Sequence, residues 1–376
     1  MVMPLLNRRF VTLSVDHLLE LGRRILGAEK LAVPTELVDL VVRPLVQSDI
    51  EGYESHGIVR LRRYTDYVLT GRINPQASLS VLKDQRGVAH LDGCWQFGQV
   101  TMQRTVEYIQ QRMGEFAAFT VLVRGANHIG RLSYYVRQLA EAGYIARMEA
   151  NAMGRPTVTI HGANQPRVGT EPLAVAVPLG KGRDPLVYDA STAAIVEGNV
   201  YIARTSGVQL PPGYLLDKHG QPTTDPMVIY LKPGEPESER GSVLPMGGIS
   251  QGYRGSGMSI MMNAISGILS GSGVNPAPGT PGTNGTWLYC LDPREFMDAD
   301  EYAAQCRQFV DYLQSARPIG DEPIRMPGAG SAQRRDSARQ LGAQLDVEVY
   351  QDLCELAADL GVSVAGIDVS PSASAR

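Results

Sequence analysis

The sequence predicts an α/β fold covered by a helical layer that its two ends build together. Three observations carry that expectation. Apolar residues recur at helical spacing over residues 14 to 47. Short β-type runs alternate with amphipathic stretches from about residue 81. Helical spacing returns at 301 to 315 and 340 to 361.

In chain order, Leu18, Leu21, Ile25 and Leu26 mark a first helix, and Leu37, Val38, Val41, Val42 and Leu45 a second. Pro34-Thr35 is a start signal for the second, and Pro44 is expected to kink it or end it early. "TGRINPQ" closes this unit, so residues 1–80 read as an N-terminal helical region. Residues 81–290 read as a central α/β region. In it "GVAHLDG" and "FTVLVRG" are strands around the helical "QVTMQRTVEYIQQRM". The helical "LSYYVRQLAEAG" and the strand-like "PTVTI", "LAVAVP" and "PLVYDAS" follow, which implies some parallel sheet. "GSGMSIMMNAISGILSGSGV", residues 255 to 274, is uncharged and about as long as a minimal membrane span. Asn263, the serines and the glycines dilute it, and a buried helix packed through its small residues is the better reading. "GSGVNPAPGTPGTNG" is a loop and "TWLYCLDP" a strand. Residues 291–376 read as a C-terminal helical region packing back on the N-terminal layer, with "SPSASAR" frayed.

Bulk properties exclude several classes. Lys+Arg 35 against Asp+Glu 39 gives a net charge of −4, so no basic excess points to nucleic acid. Cys94, Cys290, Cys306 and Cys354 are scattered without metal-ligand spacing, which suits reduced thiols in a cytoplasmic protein. The N-terminus has no uninterrupted apolar run, so no signal peptide is expected.

Four constellations could carry chemistry. In "ESHGIVRLRRYTDY", a helix would stack His56, Arg60 and Tyr64 on one face at i, i+4 and i+8, beside Ser55. A guanidinium clamps a carboxylate, an imidazole moves a proton, and a phenol donates to an anion. From spacing alone, a solvated helix face is the plainer reading. In "VLVRGANHIGRLSYY" a strand runs through Gly125, Asn127 and His128 to Gly130 and a helix, a turn where α/β proteins place ligands. A helix-capping role for His128 fits as well. The chain carries no GxGxxG or phosphate loop there. "YDASTAAIVEGN" ends a strand with Asp189 and Ser191; Asp189 could hold a hydroxyl, and Ser191 could be a helix cap. "LLDKHGQPTTDP", with Asp217 and Thr223-Thr224, reads as a surface hairpin or loop. His17, His90, His161 and His219 have no patterned neighbours.

Taken in order, "ESHGIVRLRRY", "INP", "LDGCWQFGQ", "ANHIG", "VGTEPLAVAVP", "YDAST", "PPGYLLDKHGQPTTDP" and "GSGMSIMMNAISGILSG" resemble the malate/L-lactate dehydrogenase family of the second type. That family includes sulfolactate, ureidoglycolate and diketogulonate dehydrogenases and piperideine-2-carboxylate reductases. The similarity spans roughly residues 14 to 362. It implies a non-Rossmann NAD(P)-binding fold, which agrees with the missing GxGxxG. It also implies a homodimer with active sites near the subunit interface, small carboxylate substrates and no metal. Ser55, Arg60 and Tyr64 then line the substrate pocket, with His56 and His128 as catalytic candidates. Gly169, Thr170, Asp189, Ser191, Arg254 and Gly328 fall at the cofactor.

The implied chemistry is hydride transfer between NAD(P)H and C2 of a 2-oxo acid or cyclic 2-imino acid. Arg60 is expected on the carboxylate, and one histidine, His56 first, is expected to supply the proton. A non-catalytic member, or a reductase specific to a natural-product pathway, is the alternative. The departures at Glu171, Arg254 and Asn263 motivate it, and Ser256 is a fourth departure. Glu171 replaces an amide in the usual GTNP. Arg254 replaces a lysine, Ser256 an aromatic, and Asn263 a glutamate. Glu171 would repel a substrate or phosphate anion unless it points away or is paired.

Overall fold

A computed structural model describes residues 8–152, 154–274 and 282–371. The middle of the expected 271–285 loop and the last residues of the expected frayed end lie outside the described residues.

The central sheet has seven strands in the order Ser80–Gln85, Val88–Asp92, Ala118–Ala126, Asn284–Leu291, Ile145–Ala152, Pro172–Val177 and Leu186–Ser191. Only Val88–Asp92 and Ala118–Ala126 pair in parallel; the other neighbours are antiparallel. The predicted parallel content is therefore small, because the late strand Asn284–Leu291 inserts at the centre. Leu91, Val121, Val123, Met148 and Leu288 fill the core beneath the helices Gly98–Arg112 and Ser133–Glu141. Alternating burial along Ala118–Ala126 turns Phe119, Val121 and Val123 inward.

A second sheet of five short strands includes the hairpin Leu215–Leu216 and Pro222–Thr223. It is the expected "LLDKHGQPTTDP" turn, with Asp217 accepting the amides of His219 and Gln221 at 2.8 Å. A third sheet pairs Phe10–Leu13 with Ala343–Asp346 and Ser370–Pro371, tying the two ends of the described chain together. Above it, the helices Val15–Leu26, Thr35–Ile50 and Leu61–Leu69 share one core with Leu353, Leu356, Ala357 and Leu360.

Three sequence expectations need correction. The second helix does not end early at Pro44 but runs Thr35–Ile50. Val41, Val42, Leu45 and Val46 are buried on both sides of it, and Ser48 Oγ donates to the Pro44 carbonyl at 2.8 Å. Tertiary packing there outweighs the proline penalty. The expected helix over 340 to 361 is broken by the strand Ala343–Asp346, because Gly342, at φ 90°, turns the chain where a β-carbon would lie 2.6 Å from Thr12 Cγ2. The uncharged segment is only half buried. Gly248–Met262 is α-helical, Asn263–Leu269 continues as a π-helix, and Gly252, Gly255, Ser256, Ser259, Asn263, Ser266 and Gly267 face inward. Tyr253, Ile260, Met261, Ile268 and Leu269 are exposed, since the sheet covers one side only. Among the described residues no helix is long and apolar enough to cross a membrane.

Candidate active site

The His56 row is not one helix. Glu54–His56 and Ile58–Arg60 are separate 3-10 turns, and the α-helix begins only at Leu61. Gly57 between them is extended, at φ −86° and ψ −159°. The cause is Asp49. Its carboxylate accepts the Ile58 amide at 2.8 Å and fills the space where a β-carbon on Gly57 would sit, 1.7 Å from Oδ1. Helical spacing therefore misplaced His56 relative to Tyr64, yet the fold reunites the residues by another route.

That route is the turn after Ala118–Ala126. Asn127 Nδ2 donates to the carbonyls of Trp95 at 2.8 Å and Gln96 at 3.1 Å. Gly98, opening the helix Gly98–Arg112, presses on the same turn: a β-carbon there would lie 2.4 and 2.3 Å from the carbonyl oxygens of Asn127 and His128. Held in this way, His128 Nδ1 lies 2.7 Å from Tyr64 Oη, and its ring stacks on that of His56 with centroids 5.7 Å apart. Ser55 Oγ is 3.1 Å from His56 Nδ1, and Arg60 Nε donates to the Ser55 carbonyl at 2.5 Å. The structure thus brings together all five residues predicted for the substrate pocket and the proton transfer. Tyr64 is 1% exposed and its hydroxyl is engaged by His128 and Gln99, so it stands behind His128 rather than open to a ligand.

Burial pushes the His56 imidazole down to about 3, helped by the positive Arg60 and Arg131. His128 is held well below the ordinary histidine range by burial first, then Arg60 and His56. Burial likewise pushes the Tyr64 phenol up to about 12. Burial also lowers the Arg60 guanidinium, and no carboxylate pairs with it among the described residues. Two neutral imidazoles beside an unpaired cation can bind a carboxylate and donate hydrogen bonds to a neighbouring oxygen. No group of three or more His, Cys, Asp or Glu suited to a metal ion exists among the described residues.

The residues expected at the cofactor fall along the end of the strand Leu186–Ser191. Asp189 accepts the Ser133 amide at 2.8 Å, and burial raises its carboxyl. Gly328, at φ 90°, packs on Val187. Asp189 and Gly328 share one cleft with Glu51, Tyr53, Arg131 and Ser133. The Thr170 carbonyl accepts from Thr192, next to Ser191, and Gly169 donates to Glu171 Oε1 at 2.9 Å. Arg254 stands apart, exposed and at 3.3 Å from Tyr253 Oη. The strand end connects to the histidines: a β-carbon at Gly198 would lie 2.8 Å from the Ser55 β-carbon. In the cleft, Arg131 Nε and Ser133 Oγ are buried without a hydrogen-bond partner. A free donor beside the N-terminus of Ser133–Glu141 suits one anionic group of a cofactor lying at the mouth of this narrow cleft.

Two departures prove to be one contact. Asn263 Nδ2 donates to Glu171 Oε1 at 3.1 Å, and Glu171 also accepts the amides of Ala152 at 2.6 Å and Gly169. Glu171 is 2% exposed, so it is paired and turned from solvent, as its tolerance requires. Ser256 Oγ accepts the His161 amide at 2.8 Å. His17 and His90 bond to the carbonyls of Asp368 and Ser270, and His161 and His219 are exposed, so none joins the site.

Sequence reasoning passed over Gln99, Glu51 and Arg131. Gln99 lies inside "LDGCWQFGQ", but its contact with Tyr64 crosses 35 residues. Glu51 pairs with Arg131 and lies 3.7 Å from both Arg137 and Arg335. Nothing in local periodicity announces such long-range pairs.

The malate/L-lactate dehydrogenase family model matches residues 13–354. An L-lactate dehydrogenase of Cupriavidus necator is 30% identical over 94% of this chain and 99% of its own. A Delta(1)-pyrroline-2-carboxylate/Delta(1)-piperideine-2-carboxylate reductase of Pseudomonas putida is 29% identical over 81% and 86%. The solved malate dehydrogenase of Pyrococcus horikoshii superposes with TM-score 0.83 at 25% identity, covering 96% of this chain and 98% of that one. The chain belongs to the malate/L-lactate dehydrogenase family and is an oxidoreductase with a nicotinamide cofactor.

Proposed function

We propose that this protein interconverts a small 2-oxo acid, or a cyclic 2-imino acid, with its reduced form at the stacked histidines. The observation that carries the reading is the unpaired Arg60 beside His56 and His128, both held neutral by burial. The nicotinamide cofactor, NADH or NADPH, supplies or accepts the hydride when bound. Asp189, Gly328, Gly169, Thr170 and Ser191 would hold it, together with Arg131 and Ser133, while Arg254 stands outside that group.

Arg60 binds the substrate carboxylate and fixes C2 next to the imidazoles. Ser55 orients His56 through Oγ. The sequence favoured His56 as the proton donor; the hydrogen bonds favour His128. Its Nδ1 is engaged by Tyr64, which leaves Nε2 as the nitrogen that can face a ligand. His56 lies alongside as a second donor to the same oxygen. Both rings are half-buried and held neutral, so each offers the substrate an N–H rather than a positive charge.

The four free cysteines fit a reducing compartment such as the cytoplasm. The exposed apolar row Tyr253, Ile260, Met261, Ile268 and Leu269 suits the face of a homodimer, which light scattering would read directly as twice the chain mass.

The test is a substrate panel of 2-oxo acids and cyclic imines with each reduced cofactor, on wild type and Arg60→Ala. Turnover by wild type, with KM for the carboxylate substrate raised at least roughly tenfold in Arg60→Ala, is expected. An Arg60→Ala enzyme with unchanged KM would remove the clamp from the account.

A further inference from the structure

We infer that Gln99 is a positioning residue that sets the direction of the hydrogen-bond chain Gln99–Tyr64–His128, so that His128 presents a protonated Nε2 to the reacting oxygen. The role rests on the proposed proton transfer at His128, but the direction of the chain can be read without it.

Only two arrangements give the buried Tyr64 hydroxyl both a donor and an acceptor. Gln99 Nε2 and His128 Nδ1 each lie 2.7 Å from Tyr64 Oη. In the first arrangement Gln99 donates to the Tyr64 oxygen, the Tyr64 hydroxyl donates to Nδ1, and His128 keeps its proton on Nε2. In the second the amide is reversed, Tyr64 donates to the Gln99 carbonyl, Nδ1 donates to Tyr64, and Nε2 is bare. Either way one half of the Gln99 amide has no partner, since the side chain is 1% exposed and its other terminal atom is unsatisfied. A buried carbonyl without a partner costs less than a buried N–H without one. The first arrangement is therefore the stable one, and it places Oε1 in the unpartnered position.

The backbone enforces the contact. A β-carbon at Gly98 would collide with the Asn127 and His128 carbonyl oxygens, and Gln99 is the next residue of the same helix. Gly98 thus allows the helix to seat against the His128 turn with Gln99 aimed at Tyr64.

The chain has a chemical use. In the reductive direction C2 gains the hydride, and the substrate oxygen takes the proton from His128 Nε2. The Tyr64 proton moves to Nδ1, so His128 remains neutral. Tyr64 is left as a phenolate that accepts from the Gln99 N–H near the positive Arg60 and Arg63; after product leaves, the half-exposed His128 takes a proton from solvent at Nε2 and returns the Nδ1 proton to Tyr64. Gln99 thereby both orients the chain and stabilises the charge at its end.

Three measurements test this. In wild type, long-range proton–nitrogen NMR of labelled histidine should show His128 Nδ1 unprotonated and Nε2 protonated; a protonated Nδ1 overturns the inference whatever the activity. Gln99→Glu replaces the donor by an acceptor-only carboxylate and should force the second arrangement. Reductive kcat should fall roughly tenfold or more with KM little changed, and recover as pH is lowered and the carboxyl regains a donor. The groups facing that carboxyl are Tyr64 in contact and His128 one hydrogen bond further, with Arg60, Arg63, His56 and Tyr135 beyond. Gln99→Met, of similar volume, should lose kcat without the recovery at low pH. Wild-type kcat and pH profiles in both variants would overturn the inference. An unprotonated Nδ1 with no turnover on any substrate would instead sink the proposed function and leave the chain's direction standing.

Discussion

Two buried polar regions of this protein handle charge in opposite ways. Around His56 and His128 no acid is paired to the imidazoles, and burial keeps both neutral. A few residues after His128, Arg131 joins Arg137 and Arg335, from two helices, around Glu51, with Asp184 completing the cluster. The first region holds the unpaired Arg60 and no paired acid, and so keeps both imidazoles neutral with a transferable proton on a ring. The second cancels charge by pairing and so builds a rigid wall, with Arg131 Nε left over toward the cleft that Asp189 shares. Proton chemistry and ligand holding thus sit side by side because their electrostatic requirements conflict.

The sharpest way to break the comparison is to remove a member of the neutral region. His128→Ala should lower kcat by ~100- to 10,000-fold while the fold survives, as circular dichroism and steady-state kinetics would show. If His128→Ala keeps full turnover and His56→Ala does not, the donor is His56. On the paired side, Glu51→Gln leaves three crowded guanidiniums without their shared carboxylate. A loss of about 3–5 kcal/mol in urea unfolding is expected. A neutral result would mean that Asp184 alone satisfies the cluster.

A smaller effect is expected at Glu171 and Asn263. Asn263→Glu sets two carboxylates side by side, and Glu171→Asn shortens the group that accepts the Ala152 and Gly169 amides. Each should cost about 1–3 kcal/mol, and the exchanged double variant should cost less than the sum. Additive costs would mean the two departures are unrelated. The smallest effect is on pH dependence. His56 titrates near 3 when folded against an ordinary value of 6.5, so the unfolded chain binds more protons between them. Its stability contribution is full above that ordinary value and is lost as pH falls toward 3. Denaturation midpoints from neutral to mildly acidic pH should fall less steeply in His56→Gln than in wild type.

Much of the fold was legible because its signals are local. Pro34-Thr35 starts a helix, "LAVAVP" and "PLVYDAS" are adjacent strands, and "LLDKHGQPTTDP" is a hairpin. What failed were features decided at a distance. The His56 row is broken by Asp49 pressing on Gly57, the 340 to 361 helix by pairing with Phe10–Leu13, and the early helix end at Pro44 is overridden by a core drawn from both chain ends. The site was legible as a set of residue types, and its wiring was not. Spacing set Tyr64 beside Arg60 on a substrate wall, whereas the fold turns its hydroxyl to His128 and Gln99. Glu171 and Asn263 stood as two separate oddities in the sequence, 92 residues apart, and only the packing of the helix against the sheet makes them a pair.

The most direct test is a crystal structure with reduced cofactor and oxamate, an unreactive 2-oxo acid analogue. The account predicts the analogue's carboxylate on Arg60, its amide oxygen within ~3.2 Å of His128 Nε2, and C2 facing the nicotinamide ring. An analogue bound against the nicotinamide with Arg60 and both imidazoles out of reach would contradict it.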